Sequence, residues 1–272
     1  MKFKNMFNVK ALAGAMGLAA AMVAGSASAA INWGIPATLF EDDDLDFLIQ
    51  ANGETDGILR PGDILVAILE LNDANGVAIA PSELTGISVI EIIGFFDLDG
   101  VGGANDIVFG PATAGFNAVT GLNVVGGGAG EGAMVSFWLD PSNDLQIDAG
   151  TVLAGNESCQ DLVTCIGQAS NGNSWLTVGF DGLDADDFWI ALNAEGDTNQ
   201  VFQGNLVQEF AEVNTGLSFL DNQTGVTLIE DSIACGVFCG AGNGMVDWLA
   251  GGSVKGGGNG GQNGGEWIGT SD

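Results

Sequence analysis

Asp63-Ile-Leu-Val-Ala-Ile-Leu-Glu-Leu71, the turn Asp73-Ala-Asn-Gly76 after it, and Ile87-Ser-Val-Ile-Glu-Ile-Ile-Gly-Phe-Phe96 decide how this chain folds. Both apolar runs are rich in β-branched residues and are bounded by turn formers, which marks strands rather than helices. Asn75-Gly76 supplies the positive φ angles that a tight hairpin needs. Arg60-Pro61-Gly62-Asp63 reads as a turn opening the longer strand. Working outward, residues 46–50, 116–125, 133–139, 174–180, 188–193, 217–220 and 226–230 repeat the pattern of short apolar runs between Gly, Asn and Asp turns. One segment differs: in residues 205–213, Leu206, Val207, Phe210 and Val213 fit a helical stripe, which reads as one short helix packed on the sheet, with a strand of imperfect alternation as the alternative. Many short strands without βαβ alternation predict an all-β fold, an antiparallel β-sandwich or jelly-roll-like domain with that one helix. The spacing is irregular, so no solenoid or propeller repeat is read.

The flanks differ in composition. Lys2, Lys4 and Lys10 precede a small-residue apolar run over residues 11–23. Gly25-Ser26-Ala27-Ser28-Ala29 then offers a small-x-small cleavage pattern. This is the grammar of a Sec signal peptide over residues 1–29, too short in its apolar part to span a bilayer. The expected mature chain starts at Ala30, with a β-sandwich domain over residues 30–250. Residues 251–272 begin with a Gly-rich stretch and read as a flexible C-terminal segment. No later run is apolar enough for a membrane helix, so the mature chain is expected not to insert.

Three of the five basic residues leave with the leader. Arg60 and Lys255 then face 35 acids, a net charge of −33. Nucleic-acid binding is excluded, because it rests on Lys and Arg neutralising phosphates. Such a field strains a compact fold by self-repulsion, which bound divalent cations or a salty medium would relieve. Plain solubility is the competing reading of the acids. Cys159, Cys165, Cys235 and Cys239 fall as two close pairs. Export through an oxidising compartment makes disulfides the default, with three connectivities open.

The acids cluster in three places. Asp42, Asp43 and Asp44 sit just before the first expected strand, Asp97, Asp99, Asn105 and Asp106 share one loop, and Asp181, Asp184, Asp186 and Asp187 share another. Calcium takes six to eight oxygens from such Asp/Asn/Gly loops, so Ca²⁺ is the cofactor to expect if there is one. None of these loops has EF-hand spacing, and the alternative is solvated turns. The chain has no His and no Tyr, so neither a Ser-His-Asp triad nor a histidine base can be built. We expect no enzyme. Trp33, Trp138, Trp175, Trp189, Trp248 and Trp267 could stack on sugars, although strand positions such as Trp138 and Trp189 suit a core.

The leader, the Asp-rich entry from Glu41 to Phe47, Leu59-Arg-Pro-Gly-Asp-Ile-Leu-Val-Ala-Ile-Leu-Glu-Leu71 and the Gly-rich stretch before Trp267 together resemble exosortase-sorted (PEP-CTERM-type) exported bacterial proteins. The Pro-Glu-Pro sorting motif and its apolar helix do not follow here. The resemblance implies export to a cell surface or extracellular matrix and carries no site residues. The expected role is a structural or adhesive matrix protein of a biofilm, sheath or surface layer, with exopolysaccharide or further copies of itself as partner. The alternative is a carbohydrate-binding module.

Overall fold

The computed structural model describes residues 38, 40–53, 59–80, 82–98, 100, 104, 106–147, 158–183, 186–192, 210–234, 245–255, 266–267 and 269–270. The expected signal peptide, Trp33, Asp99, Asn105, Asp184, Cys235 and Cys239 lie outside them, as do the side chains of Asp42 and Asp43. The fold is all-β and sandwich-like, and every strand pairing in it is antiparallel. Among the described residues, no helix is long and apolar enough to cross a membrane.

The decisive stretch forms its hairpin as read. Asp63 N–H donates to the Arg60 carbonyl at 3.0 Å, and Gly62 takes φ 92°. Pro at the second and Gly at the third position are what a type II turn requires. Strand β1 (Phe40–Ile49) pairs with β2 (Ile64–Ala74), which turns through Asn75 (φ 57°) and Gly76 (φ 71°) into the short β3 (Val77–Ala78). The 14-residue β4 (Glu83–Phe96) then lies along β2. Residues 83 to 90 of β4 are buried without a break. Its even positions, such as Leu84, Ile90 and Ile92, enter one core, and Ile87 and Val89 enter another. A strand covered on both faces reads as a continuous apolar run, which is the pattern that the sequence displays.

β4 and the 13-residue β9 (Phe210–Asn222) organise the rest. The free edge of β4 is shared: β6 (Ala133–Asp140) pairs with residues 83–88, and β5 (Asp106–Pro111) pairs with residues 90–96. β9 shares an edge likewise between β8 (Phe188–Leu192) and β7 (Asn173–Gly179). Because β5 pairs with β8 and β6 with β7, two routes of hydrogen bonds join β4 to β9 and ring the main core. Phe40, Phe137, Trp175 and Trp248 meet in that core, with Phe40 stacked on Trp248 at 5.9 Å and Phe137 edge-on to Trp175 at 6.4 Å.

A second core covers the outer face of β1, β2 and β4. Its lid is assembled from the one-turn α1 (Phe116–Thr120), residues 143–147 and α2 (Leu162–Ala169). Phe116, Leu145 and Ile147 are almost wholly buried there, and each such side chain stabilises the fold by roughly 1.5–3 kcal/mol. The Cys159–Cys165 disulfide, with Cα atoms 5.1 Å apart, ties α2 to the segment before it. Local pairing is thus one of the connectivities that the spacing left open. Asp161 caps α2 by accepting from Thr164 N–H at 2.9 Å. The smaller β10 (Ile233–Ala234) and β11 (Met245–Val246) pair with each other, and Val246 packs on Phe188 and Ile190.

Several expectations need correction. The acid run does not precede the first strand but forms part of it: Asp42, Asp43 and Asp44 are in β1, paired with Leu71, Glu70 and Leu69. A strand was expected over residues 116–125, yet Phe116–Thr120 is a helical turn between Gly115 (φ 84°) and Gly121 (φ 76°). Positive φ at both ends breaks extended backbone. The described part of residues 205–213 is the start of β9, not a helix, because pairing with β8 and with β12 (Trp248–Lys255) outweighs a local stripe. The segment at 226–230 is not a strand. Gly251–Lys255, expected as linker, completes β12 (Trp248–Lys255) along β9. β13 (Glu266–Trp267) and β14 (Gly269–Thr270) add short pairings to β1 and β12.

Candidate functional site

With two cations in the expected mature chain, the carboxylates turn to backbone N–H groups instead. Asp63 accepts from Ala51 and Arg60 N–H at 2.7 and 2.8 Å, and Asp73 from Gly76 N–H at 3.0 Å. Asp247 accepts from Phe219 and Asp231 N–H at 2.9 and 2.6 Å, bridging β9 to a loop. Charged acceptors make hydrogen bonds about twice as strong as neutral ones, so these acids act as loop clamps.

Three of the acids singled out in the sequence, Asp106, Asp181 and Asp187, follow the same rule. Asp106 is buried and accepts from Leu98 N–H at 2.6 Å, which closes the loop that Asp97 shares; Asp97 itself is exposed. Asp187 accepts from Asp181 N–H and Ser218 Oγ, both at 2.9 Å, while Asp181 accepts from Leu183 N–H at 2.7 Å. Asp186 is buried beside them. Asp44 is half-buried on β1. None of these residues joins a converging group of ligand atoms among the described residues.

Convergence occurs elsewhere, at Glu83, Asp140 and Asp144, where one carboxylate oxygen from each lies within 4.8 Å of the others. Glu83 opens β4 and Asp140 ends β6, directly across the ladder from each other. Their odd and even strand positions place both on the face of the second core, beside Thr85 and Trp138. The chain then doubles back. Ser142 donates to Asp140 from its N–H at 2.8 Å and its hydroxyl at 2.6 Å, and this brings Asp144 over Glu83. Asp144 and Leu145 N–H groups donate to Glu83 Oε1 at 3.2 and 3.3 Å, and Asn171 holds Asp144 from the far side.

Glu83 is 3% exposed and Asp140 1%, whereas Asp144 is exposed. Burial, assisted by the facing Asp140 and Glu70 carboxylates and opposed by the Leu145 N–H, holds the Glu83 carboxyl up at about 7. Its second oxygen, Oε2, is fully buried and receives no hydrogen bond. The arrangement can hold a proton or a hard cation. Sequence reasoning missed it because the three residues come from one strand start, one strand end and one loop. The visible signal was a polar residue at each boundary of an apolar strand.

The tryptophans provide no open platform among the described side chains: Trp138 and Trp175 are buried, and Trp189 and Trp248 are half-buried against the main core. An open groove of about 450 Å³ runs between Pro111, Glu131, Phe180, Asp181 and Leu220. Its floor is glycine because a Cβ at Gly132 would run into the Phe180 carbonyl oxygen. The chain matches no protein-family model, no curated protein and no solved structure.

Proposed function

We propose that this protein is an exported, non-catalytic structural or adhesive component of a bacterial cell surface or extracellular matrix, with an acidic β-sandwich stabilised by cations. The observation that carries this reading is how the acids are used. They clamp loops and turns by accepting backbone N–H groups, and the charge they leave has few cations in the chain to offset it. The disulfide in the lid of the second core supports an oxidising compartment. The expected leader supports export.

Antibody raised against the purified chain, applied to fractions of the producing cells, tests this. The expected result is protein in the surface or matrix fraction with its N-terminus at Ala30, by mass spectrometry. An uncleaved chain confined to the cytoplasm would overturn it. A second reading, binding of an exopolysaccharide, is favoured by the groove at Phe180 and Asp181. Retention of the chain on matrix polysaccharide, lost when Phe180 is replaced by Ala, would establish that partner.

A further inference from the structure

We propose that Glu83, Asp140 and Asp144 form a calcium site that fastens residues 140–147 over the end of the second core, a reading that rests on the cation-stabilised scaffold and locates its ion. Three observations carry it. The first is geometric: the three oxygens lie within 4.8 Å of one another, inside the roughly 4.6–5.2 Å that separates opposite ligands of a Ca²⁺ ion bound at about 2.3–2.6 Å. Mg²⁺ demands near-ideal octahedral geometry at about 2.0–2.1 Å and gives up its water reluctantly, so three carboxylates favour Ca²⁺.

The second is the orphaned oxygen. Glu83 Oε2 is buried with no donor reaching it, and the carboxyl across the ladder, Asp140, is another acceptor when ionised. A buried polar atom without a partner is costly, more so when it is charged. A proton shared between the two carboxyls, or a small cation, would satisfy it.

The third is the distribution of charge. Arg60 lies beside the other end of β4, since Gly62 N–H donates to the Ile92 carbonyl. Nine residues of strand separate Ile92 from Glu83, up to roughly 30 Å at about 3.3 Å per residue. Lys255 faces Phe210 at the start of β9, and it is the opposite end of β9, at Asn222, that pairs with β7 on the acid cluster's side. These backbone positions put both cations of the expected mature chain away from the cluster, and a neutralising charge would then come from solution. The donors are all oxygen, which selects a hard ion over a soft one. Loop carbonyls and water would supply the remaining ligands.

An ion there would join the start of β4, the end of β6 and the loop that carries Leu145 and Ile147 into the second core. That loop also grips the disulfide segment, because Gln146 N–H donates to Ser158 Oγ at 2.8 Å and Ser158 N–H to the Gln146 carbonyl at 3.0 Å.

The test uses the disulfide-intact protein, stripped with EDTA, at fixed ionic strength and pH 7.5. Terbium luminescence sensitised by Trp138, two residues from Asp140 on β6, reports occupancy, and thermal unfolding in CaCl₂, MgCl₂ or matched NaCl reports stabilisation. We expect one terbium bound, displaced by CaCl₂, and a rise in the unfolding midpoint of several degrees in CaCl₂ that MgCl₂ matches only weakly. Glu83→Gln keeps the shape and the Oε1 hydrogen bonds, so it should fold as well as wild type in EDTA yet lose both signals. Asp144→Asn, on an exposed side chain, should weaken calcium binding at least tenfold. If calcium stabilises Glu83→Gln as much as wild type, the site is elsewhere and only this assignment falls. If wild type responds to CaCl₂ no more than to NaCl, both this site and the cation-stabilised part of the scaffold reading are overturned, and the occupant is a shared proton.

Discussion

Glu83 binds a proton more tightly in the folded protein than in the unfolded chain, because burial and the Asp140 and Glu70 carboxylates hold its carboxyl at about 7 against an ordinary 4.5. Proton linkage fixes the sign. The contribution of Glu83 to stability is fully present below pH 4.5 and falls away as pH rises through 7. In EDTA, urea unfolding should therefore show a loss on the order of 2–4 kcal/mol attributable to this residue between pH 5 and pH 8. Glu83→Gln, which cannot ionise, should remove that slope and be the more stable protein at pH 8. Equal slopes for the two proteins would show that Glu83 is not held neutral by the fold. The residue scale also shows the limit of reading loops by composition. Asp106 and Asp187 each use an oxygen to accept a backbone N–H, from Leu98 and Asp181, a structural role that composition does not reveal and that leaves further lone pairs. A carboxylate's neighbours in sequence do not say whether it points at an ion or at its own backbone.

At the scale of elements, the lid of the second core is the part that composition could not anticipate. The helix α2 amounts to two turns, its strongest sequence signal is the Asp161–Thr164 cap, and it is anchored by tertiary bonds such as Thr85 Oγ1 to the Ala169 carbonyl at 2.6 Å. A helix this short is not stable alone, so its existence depends on the surface beneath it. The disulfide closes a loop of six residues' separation, for which loop entropy predicts about 2 kcal/mol. Replacing Cys159 and Cys165 by Ser should lower stability by that amount in urea titrations and increase hydrogen exchange in α2, while β2 and β4 keep their protection. Loss of protection in β4 as well would mean that the second core and the sandwich are one cooperative unit.

Across the whole molecule, carboxylates repel one another with two cations in the expected mature chain to offset them. Raising NaCl from 0.01 to 1 M shrinks the screening length from about 30 to about 3 Å. The unfolding midpoint in EDTA should rise steadily across that range, and a flat response would show that the loop clamps already neutralise the field locally. The ring through β5–β8 and β6–β7 keeps the main core closed around Phe137 and Trp175 under this load.

The sequence by itself determined the strands with the strongest pattern. Residues 63–71 and 87–96, the type II turn at Pro61-Gly62 and the hairpin at Asn75-Gly76 are local decisions, made by β-branched runs and by residues that accept positive φ. It also set the charge. Only the tertiary structure decided that Phe116–Thr120 turns as a helix, that Phe210 opens a strand, and that Gly251–Lys255 pairs along β9. Each of those depends on a neighbour distant in sequence. The candidate site belongs to the same class. Glu83 and Asp140 are 57 positions apart in the chain and face each other because β4 and β6 pair in one register, with Asp144 delivered by the loop that follows. Long-range pairing, unlike a turn, leaves no mark in the residues on either side of it.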